Sequence, residues 1–194
     1  DGNLITYDAS GNPAAVATGS DGQVLTSTGA GSPPAFEAAA AGGKLVQLVN
    51  FQTGTLATGT TLQPHDNTIP QKTEGNEFMT LAITPTSASN KLLINVILNM
   101  ANSNWANNPQ CVALYQDTTA NALACQWHKH GQGNSMPETW NFNHYMTSGT
   151  TSSTTFKVRC GAEFSGTVSF NGEGGAAFGG GAIASSITIM ELEV

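Results

Sequence analysis

The chain has 194 residues, a formal net charge of −7, and charged residues at only 10% of its positions. Its six Lys and Arg residues are scattered, so no basic stripe can neutralise phosphates, and we expect no nucleic-acid partner. The apolar run at residues 91–100 is far shorter than the roughly 20 residues of a membrane-spanning helix, so we expect no membrane insertion. Abundant Gly, Thr, Ser and Asn disfavour surface helices and suit short strands joined by tight turns.

The first 43 residues differ from the rest of the chain. Apolar pairs at residues 4–5 and 24–25 lie between turn signals and are too few to offset the ordering of this segment alone. The segment is therefore either a flexible linker or is ordered against other copies of itself, and its β-forming residues favour the second alternative. Residues 38–43 (AAAAGG) indicate a hinge. Because the chain opens at Asp1 without Met, we expect a fragment or a processed form.

From Lys44 onward the pattern predicts strands joined by polar turns. Phe156, Val158 and Cys160 alternate with polar residues, as in a half-buried strand, and residues 117–121 indicate a short hairpin loop. No segment has a sustained helical period. The sequence thus predicts an all-β fold, an antiparallel β-sandwich or jelly-roll-like domain. The nine predicted strands are residues 44–51, 77–84, 91–100, 111–116, 122–127, 139–146, 155–160, 166–170 and 186–193.

Three cysteines, Cys111, Cys125 and Cys160, form no CxxC pair, and their odd number argues against a full disulfide framework. We expect all three to be small buried side chains. A disulfide between Cys111 and Cys125 is the alternative.

Two parts of the sequence resemble bacteriophage tail fibres. Residues 11–28 (GNPAAVATGSDGQVLTST) resemble the short repeats of the fibre shaft. The stretches that are similar to the terminal head domain of such fibres are residues 58–76, 78–93, 155–159, 169–175 and 185–190. The resemblance implies a parallel homotrimer with a β shaft at residues 1–43 and a receptor-binding head at residues 44–194.

The same resemblance implies the partners and the location. The expected partners are a host cell-surface receptor, either a glycan or an outer-surface protein, and the upstream fibre or tail proteins. The expected location is the virion or an extracellular cell surface. In a trimer, three copies can bury the apolar pairs of the shaft segment against one another about a shared axis.

Two stretches, residues 99–110 and 125–145, are longer and more aromatic than the fibre-head pattern, and variable loops are where partner choice commonly lies. Aromatic faces flanked by amides suit a sugar. Trp105 is the strongest candidate because it has no core periodicity around it, whereas Trp127 and Phe142 are expected in the core. The receptor-binding candidates are Trp105, Asn107, Asn108, His130, Asn134, Trp140 and His144.

Three of the four histidines lie within residues 127–145, which raises the question of a metal site. His128 and His130 would point to one face of an extended strand. One chain supplies too few ligands for structural zinc, but three chains about an axis would supply six. We expect no cofactor, with an axial transition-metal ion at His128 and His130 of a trimer as the alternative. Residues 131–138 are predicted to form a long hairpin loop.

Catalytic signatures are weak in this sequence. Its acidic residues show no spacing that marks the carboxylate pair of a glycosidase, and there is no Gly-x-Ser-x-Gly elbow. We therefore predict binding without catalysis. The alternatives are a purely structural trimerisation knob, a polysaccharide-degrading tail-spike enzyme, and a cell-encoded adhesin built from the same modules.

Overall fold

Two β-rich units divide the chain, one over residues 1–42 and the other over residues 43–194. The structure is a computed structural model, and it describes residues 3–39, 43–104, 107–129 and 136–194. Its strands are β1 (Leu4–Tyr7), β2 (Pro13–Val16), β3 (Gln23–Thr26), β4 (Ala35–Ala38), β5 (Leu45–Thr53), β6 (Ala57–Gly59), β7 (Asn76–Ile83), β8 (Lys91–Asn102), β9 (Pro109–Gln116), β10 (Ala124–Lys129), β11 (Glu138–Thr147), β12 (Thr154–Ala162), β13 (Val168–Phe170), β14 (Gly172–Glu173), β15 (Ala176–Ala177) and β16 (Ser185–Leu192). A single 3₁₀ turn, Gly179–Gly181, precedes β16.

The first unit consists of two antiparallel hairpins, β1–β2 and β3–β4. In the first hairpin, Asp8 Oδ1 accepts hydrogen bonds from the backbone N of Ser10 and Asn12, at 2.8 and 2.9 Å, which shapes the turn. Ile5 and Tyr7 are 77% and 67% exposed, as expected for a segment with too little apolar area to form its own core. A single chain therefore leaves apolar side chains of this unit in water.

The second unit is a sandwich of two antiparallel sheets. In the first sheet, β16 lies between β5 and β8, and β11 pairs with the other side of β8. The second sheet has the order β10-β9-β12-β7. Of the eight main strands, the first therefore pairs with the last (β5 with β16), β7 with β12, β8 with β11 and β9 with β10, all antiparallel. This nested pairing is the topology of a jelly roll, and the predicted fold class is confirmed.

The core lies between the two sheets. Five alternate side chains of β8 face it and are at most 1% exposed, and Phe156, Val158 and Cys160 face it from β12, as their alternation predicts. All nine predicted strands have counterparts in the structure. Strands β6, β14 and β15 were not predicted, because two or three residues carry no periodic signal. Within the described residues, no helix is long and apolar enough to cross a membrane.

The segment of residues 60–75 covers the outer face of the second sheet. Tyr115 Oη donates a hydrogen bond to the carbonyl of Gln71 at 3.0 Å. Arg159 Nε and Nη2 donate to the carbonyls of Glu74 and Gly75 at 3.0 and 2.8 Å. These bonds hold a polar segment over Cys111, Ala113 and Tyr115, a small buried group that we call the outer cluster.

Glu191 anchors the turn between β7 and β8. Its buried carboxylate accepts hydrogen bonds from Thr86 N, Thr86 Oγ1 and Asn90 Nδ2 at Oε1, and from Gln47 Nε2 at Oε2. Burial acts to raise the pKa of this carboxyl, but the hydrogen bonds outweigh burial and hold the pKa at about 2. The side chain is therefore a buried, satisfied anion at neutral pH.

Two details of the sequence prediction are wrong. Cys111 and Cys160 are buried, but Cys125 is exposed, because it lies on the edge strand β10. The connection between β10 and β11, which contains the predicted 131–138 loop, does not close a hairpin. Strand β10 pairs with β9 while β11 pairs with β8 of the other sheet, because Trp140 and Phe142 turn towards the core against β8. The predicted hairpin loop after Gln116 is confirmed, since β9 and β10 pair directly.

Candidate functional site

A cleft of about 440 Å³ lies between the edge strands of the two sheets, β10 and β11. We call it the β10–β11 cleft. Its volume is within the range of small-molecule sites in proteins. The residues that line it are Gln126, Trp127 and His128 from β10 and Glu138, Thr139 and Trp140 from β11.

A histidine–carboxylate pair crosses the cleft. His128 Nδ1 lies 3.0 Å from Glu138 Oε2, and both side chains are partly exposed. The imidazole of His128 also contacts the indole of Trp140 edge to face, with ring centroids 5.5 Å apart and planes at 69°. The pair thus joins the two sheets at their open edges and places polar groups in the cleft.

Two contacts on the outer face of the second sheet fix the side chain of Trp127. It packs against the outer cluster on the outer face of β9. The ring of His65, from the covering segment of residues 60–75, lies 4.8 Å from its ring centroid at an interplanar angle of 58°. These contacts fix the orientation of the indole on the outer face of β10, opposite to the face that carries the side chains of Gln126 and His128.

Hydrogen bonds of Thr139 and the burial of Trp140 fix the β11 side of the cleft. Thr139 Oγ1 donates a 2.6 Å hydrogen bond to Oδ1 of Asn99, whose backbone N donates to Ser185 Oγ at 2.8 Å. Trp140 is only 3% exposed, and its Nε1 has no hydrogen-bond partner within the part of the chain that the structure describes. The start of β11 is therefore anchored and leaves one buried donor at the cleft unused.

The cleft combines an indole, an imidazole, a carboxylate, a hydroxyl and an amide. A sugar ring, which has an apolar face and several hydroxyl groups, matches this combination of a flat apolar wall with donors and acceptors. Among the described lining residues, Glu138 is the single carboxylate, whereas glycoside hydrolysis by the usual mechanisms uses two.

The receptor-binding candidates have different positions. Trp105, His130 and Asn134 lie outside the described residues, so their predicted roles remain predictions. Asn107 is exposed and has a φ of 55°. Asn108 is fully buried: its Nδ2 donates to the carbonyls of residues 104 and 164, and its Oδ1 accepts from the backbone N of residue 164. Asn108 is therefore a structural residue that no receptor can reach, which corrects its assignment.

The two faces of strand β11 differ in exposure. Trp140 and His144 face the sandwich, whereas Asn141 and Asn143 face outward. Burial lowers the pKa of His144, which favours its neutral form. Trp140 can contact a ligand only at the floor of the cleft, and His144 is not part of the cleft lining.

The metal hypothesis remains a prediction. His128 contacts Glu138, and His130 is outside the described residues. Among residues that the structure describes, no group of three His, Cys, Asp or Glu side chains gathers in a way that could hold a metal ion. A site formed at a threefold axis would require other copies of the chain.

Of the six lining residues, sequence reasoning selected His128 and Trp140 but missed Gln126, Trp127, Glu138 and Thr139. Trp127 was expected in the core instead. The jelly-roll topology would have indicated the missed residues, because it places β10 and β11 at neighbouring sheet edges. No sequence signal connects His65 with Trp127, which are 62 positions apart and meet only because the covering segment folds over the sheet.

No family model matches the chain, and no curated protein matches it. It is similar in structure to the Eiger TNF from S. frugiperda, with 11% identity, a TM-score of 0.46, and coverage of 77% of this chain and 94% of that one. It is also similar to the C-terminal domain of the sugar-binding protein EclA, with 15% identity, a TM-score of 0.33, and coverage of 64% and 75%. A third similar structure is the VP2 subviral particle of infectious bursal disease virus, with 10% identity, a TM-score of 0.34, and coverage of 88% and 44%. The jelly-roll assignment follows from the strand pairing and does not depend on these likenesses.

Proposed function

We propose that this chain is the distal part of a trimeric phage tail fibre, or of a fibre-like adhesin, whose jelly-roll unit binds a host-surface glycan without catalysis. The observation that carries the binding proposal is the β10–β11 cleft, where the His128–Glu138 pair lies beside the indole of Trp140. An apolar wall next to fixed donors and acceptors is the arrangement that sugar recognition requires.

The fibre part of the proposal is supported by the first unit. Its two hairpins leave Leu4, Ile5, Val24 and Leu25 between 44% and 77% exposed. Packing of three copies about an axis would bury these side chains, and each buried side chain of this size contributes about 1.5–3 kcal/mol. The tail-fibre resemblance of residues 11–28 supports the same assembly.

The proposed mechanism is rigid attachment. Trp140 would contact a sugar at the floor of the cleft, while Gln126, His128 and Glu138 would exchange hydrogen bonds with ring hydroxyls. Because the walls belong to strands of two packed sheets, little side-chain entropy would be lost on binding. Multiple cleft copies in one fibre would raise the overall affinity for a surface that presents many copies of the glycan.

The test separates binding, catalysis and a purely structural role. The full chain is incubated with purified host-surface polysaccharide, and both retention on the polysaccharide and release of reducing sugar are measured. We expect retention without release. Release of reducing sugar would contradict the non-catalytic assignment, and the absence of retention on any host-surface glycan would favour a structural knob.

A further inference from the structure

Cys111 and Cys125 lie on neighbouring strands with their side chains on one face of the second sheet. In the β9–β10 register, Cys125 is opposite Ala113 and Trp127 is opposite Cys111, so the two cysteines are diagonal neighbours. Side chains at such diagonal positions lie on the same face of the sheet and within reach of each other. Both are free thiols in the structure, with Cys111 buried and Cys125 exposed.

Cys125 is also accessible to small reagents. It lines a second cleft of about 420 Å³, formed with residues 66–70 and 122–124. Hydrogen bonds from the Cys111 thiol and from Trp127 outweigh burial and lower the pKa of Cys125 to about 6, whereas the hydrogen bond with Cys125 and burial raise the pKa of Cys111. The lowered pKa makes Cys125 the more nucleophilic thiol of the pair.

We propose that Cys111 and Cys125 form an oxidisable pair that closes to an intrachain disulfide when the protein meets a small-molecule disulfide. In the first step, the Cys125 thiolate attacks one sulfur of the reagent, which forms a mixed disulfide and releases one thiolate. In the second step, Cys111 loses its proton to solvent and attacks Cys125 Sγ, which releases the second thiolate. The protein loses two electrons and the proton of Cys111, and the reagent disulfide is reduced to two thiolates, which are protonated by that proton and by solvent.

The backbone can accommodate this bond. Diagonal neighbours in an antiparallel pair are about 7–8 Å apart, and a disulfide needs a Cα separation of roughly 4.4–6.8 Å. Closure therefore requires β10 to move by about an ångström. Because β10 is an edge strand that pairs only with β9 in the described sheet, this movement breaks no second row of hydrogen bonds. The bond would tie the hairpin that carries Trp127 and His128.

Oxidised glutathione and peptide mapping test the proposal on the full chain. One tryptic peptide, residues 92–129, contains both cysteines, and another, residues 160–194, contains Cys160 as an internal control. After treatment at neutral pH, we expect the first peptide to be lighter by two hydrogen atoms and Cys160 to remain a thiol. A persistent glutathione adduct, an interchain cross-link or an unmodified peptide would each overturn the proposal.

Two matched variants test the role of Cys111. Cys111→Ser keeps a hydrogen-bond donor beside Cys125 and prevents closure, so we expect rapid alkylation of Cys125 by iodoacetamide and an arrested glutathione adduct. Cys111→Ala removes the donor, and we expect alkylation of Cys125 near pH 6 to slow by about tenfold. Equal alkylation rates in both variants and the parent chain would contradict the thiol–thiol contact.

Discussion

His128 Nδ1 and Glu138 Oε2, 3.0 Å apart, connect the edge strands of two different sheets. The two residues lie ten positions apart, yet no hairpin joins their strands. The pair therefore does more than stabilise a turn, because it sets the distance between the two walls of the β10–β11 cleft. Partly exposed ion pairs contribute at most about 1 kcal/mol to stability, so the expected consequence of the pair concerns ligand binding.

We predict that Glu138→Gln weakens glycan binding by about tenfold with little change in stability, because a charged hydrogen-bond acceptor is replaced by a neutral amide. Affinity is measured by calorimetry on the full chain. Glu193→Gln is the matched control, since Glu193 pairs only distantly with Lys44, at 3.9 Å, and is not part of the cleft lining. Equal affinities of the two variants would remove Glu138 from the site.

The lowered pKa of Glu191 leads us to predict that acid destabilises the jelly-roll unit. Its pKa is about 2 in the folded chain, against an ordinary value of 4.5, so the stabilisation is fully present above about pH 4.5 and is lost as the pH falls towards 2. The shift corresponds to roughly 3 kcal/mol. Glu191→Gln should therefore lower the free energy of unfolding at pH 7 by a few kcal/mol and flatten its dependence on pH below 4.5, as measured by urea denaturation. A parallel loss at every pH would contradict this origin.

Asn108 and Asn107 form a second matched pair of variants. Asn108→Ala should destabilise the fold by about 2–4 kcal/mol, because it leaves buried groups of residues 104 and 164 without partners. Asn107→Ala should cost only about 1 kcal/mol, because Asn107 is exposed and only its left-handed φ of 55° is strained by the change. Thermal unfolding distinguishes them, and a smaller effect of Asn108→Ala would contradict its structural role.

The proposed trimer predicts a mass in solution of three times the 20.0 kDa chain. Replacing Ile5 and Leu25 by Asn removes apolar surface that the shaft would bury, so we expect this variant to shift towards monomer. Light scattering after size exclusion measures the mass. A monomeric parent chain would contradict the assembly without affecting the cleft.

Much of the fold could be predicted because half-buried strands carry a period of two. Phe156, Val158 and Cys160 show it, and each is fully buried. Periodicity does not reveal which strands become neighbours, so the hairpin expected between β10 and β11 was wrong. It also cannot distinguish an exposed Asn from a buried Asn whose side chain hydrogen-bonds the backbone of nearby loops, as Asn107 and Asn108 illustrate.

The candidate site was harder to predict than the fold, because it depends on long-range packing. The WHKHGQGNSMPETWNFNHY stretch, residues 127–145, supplies five of the six cleft residues. Which of these residues face the cleft depends on how β10 and β11 pair within the two sheets. Trp140 turns inward because β11 pairs with β8, and Trp127 turns to the outer face of β10, where His65 and the outer cluster contact it.

The most direct test of the account is the binding of the full chain to a glycan array, with His128→Ala and Gln126→Ala as cleft variants. Tyr145→Ala is the control, because Tyr145 is 59% exposed on the outer face of β11 and is not part of the cleft lining. His128 and Gln126 are exposed, so their replacement should leave the fold intact. We predict that the parent chain and Tyr145→Ala bind the same glycans, that His128→Ala loses at least about tenfold in affinity, and that Gln126→Ala loses several-fold. Unchanged binding by both cleft variants would contradict the central claim that the β10–β11 cleft is the receptor site.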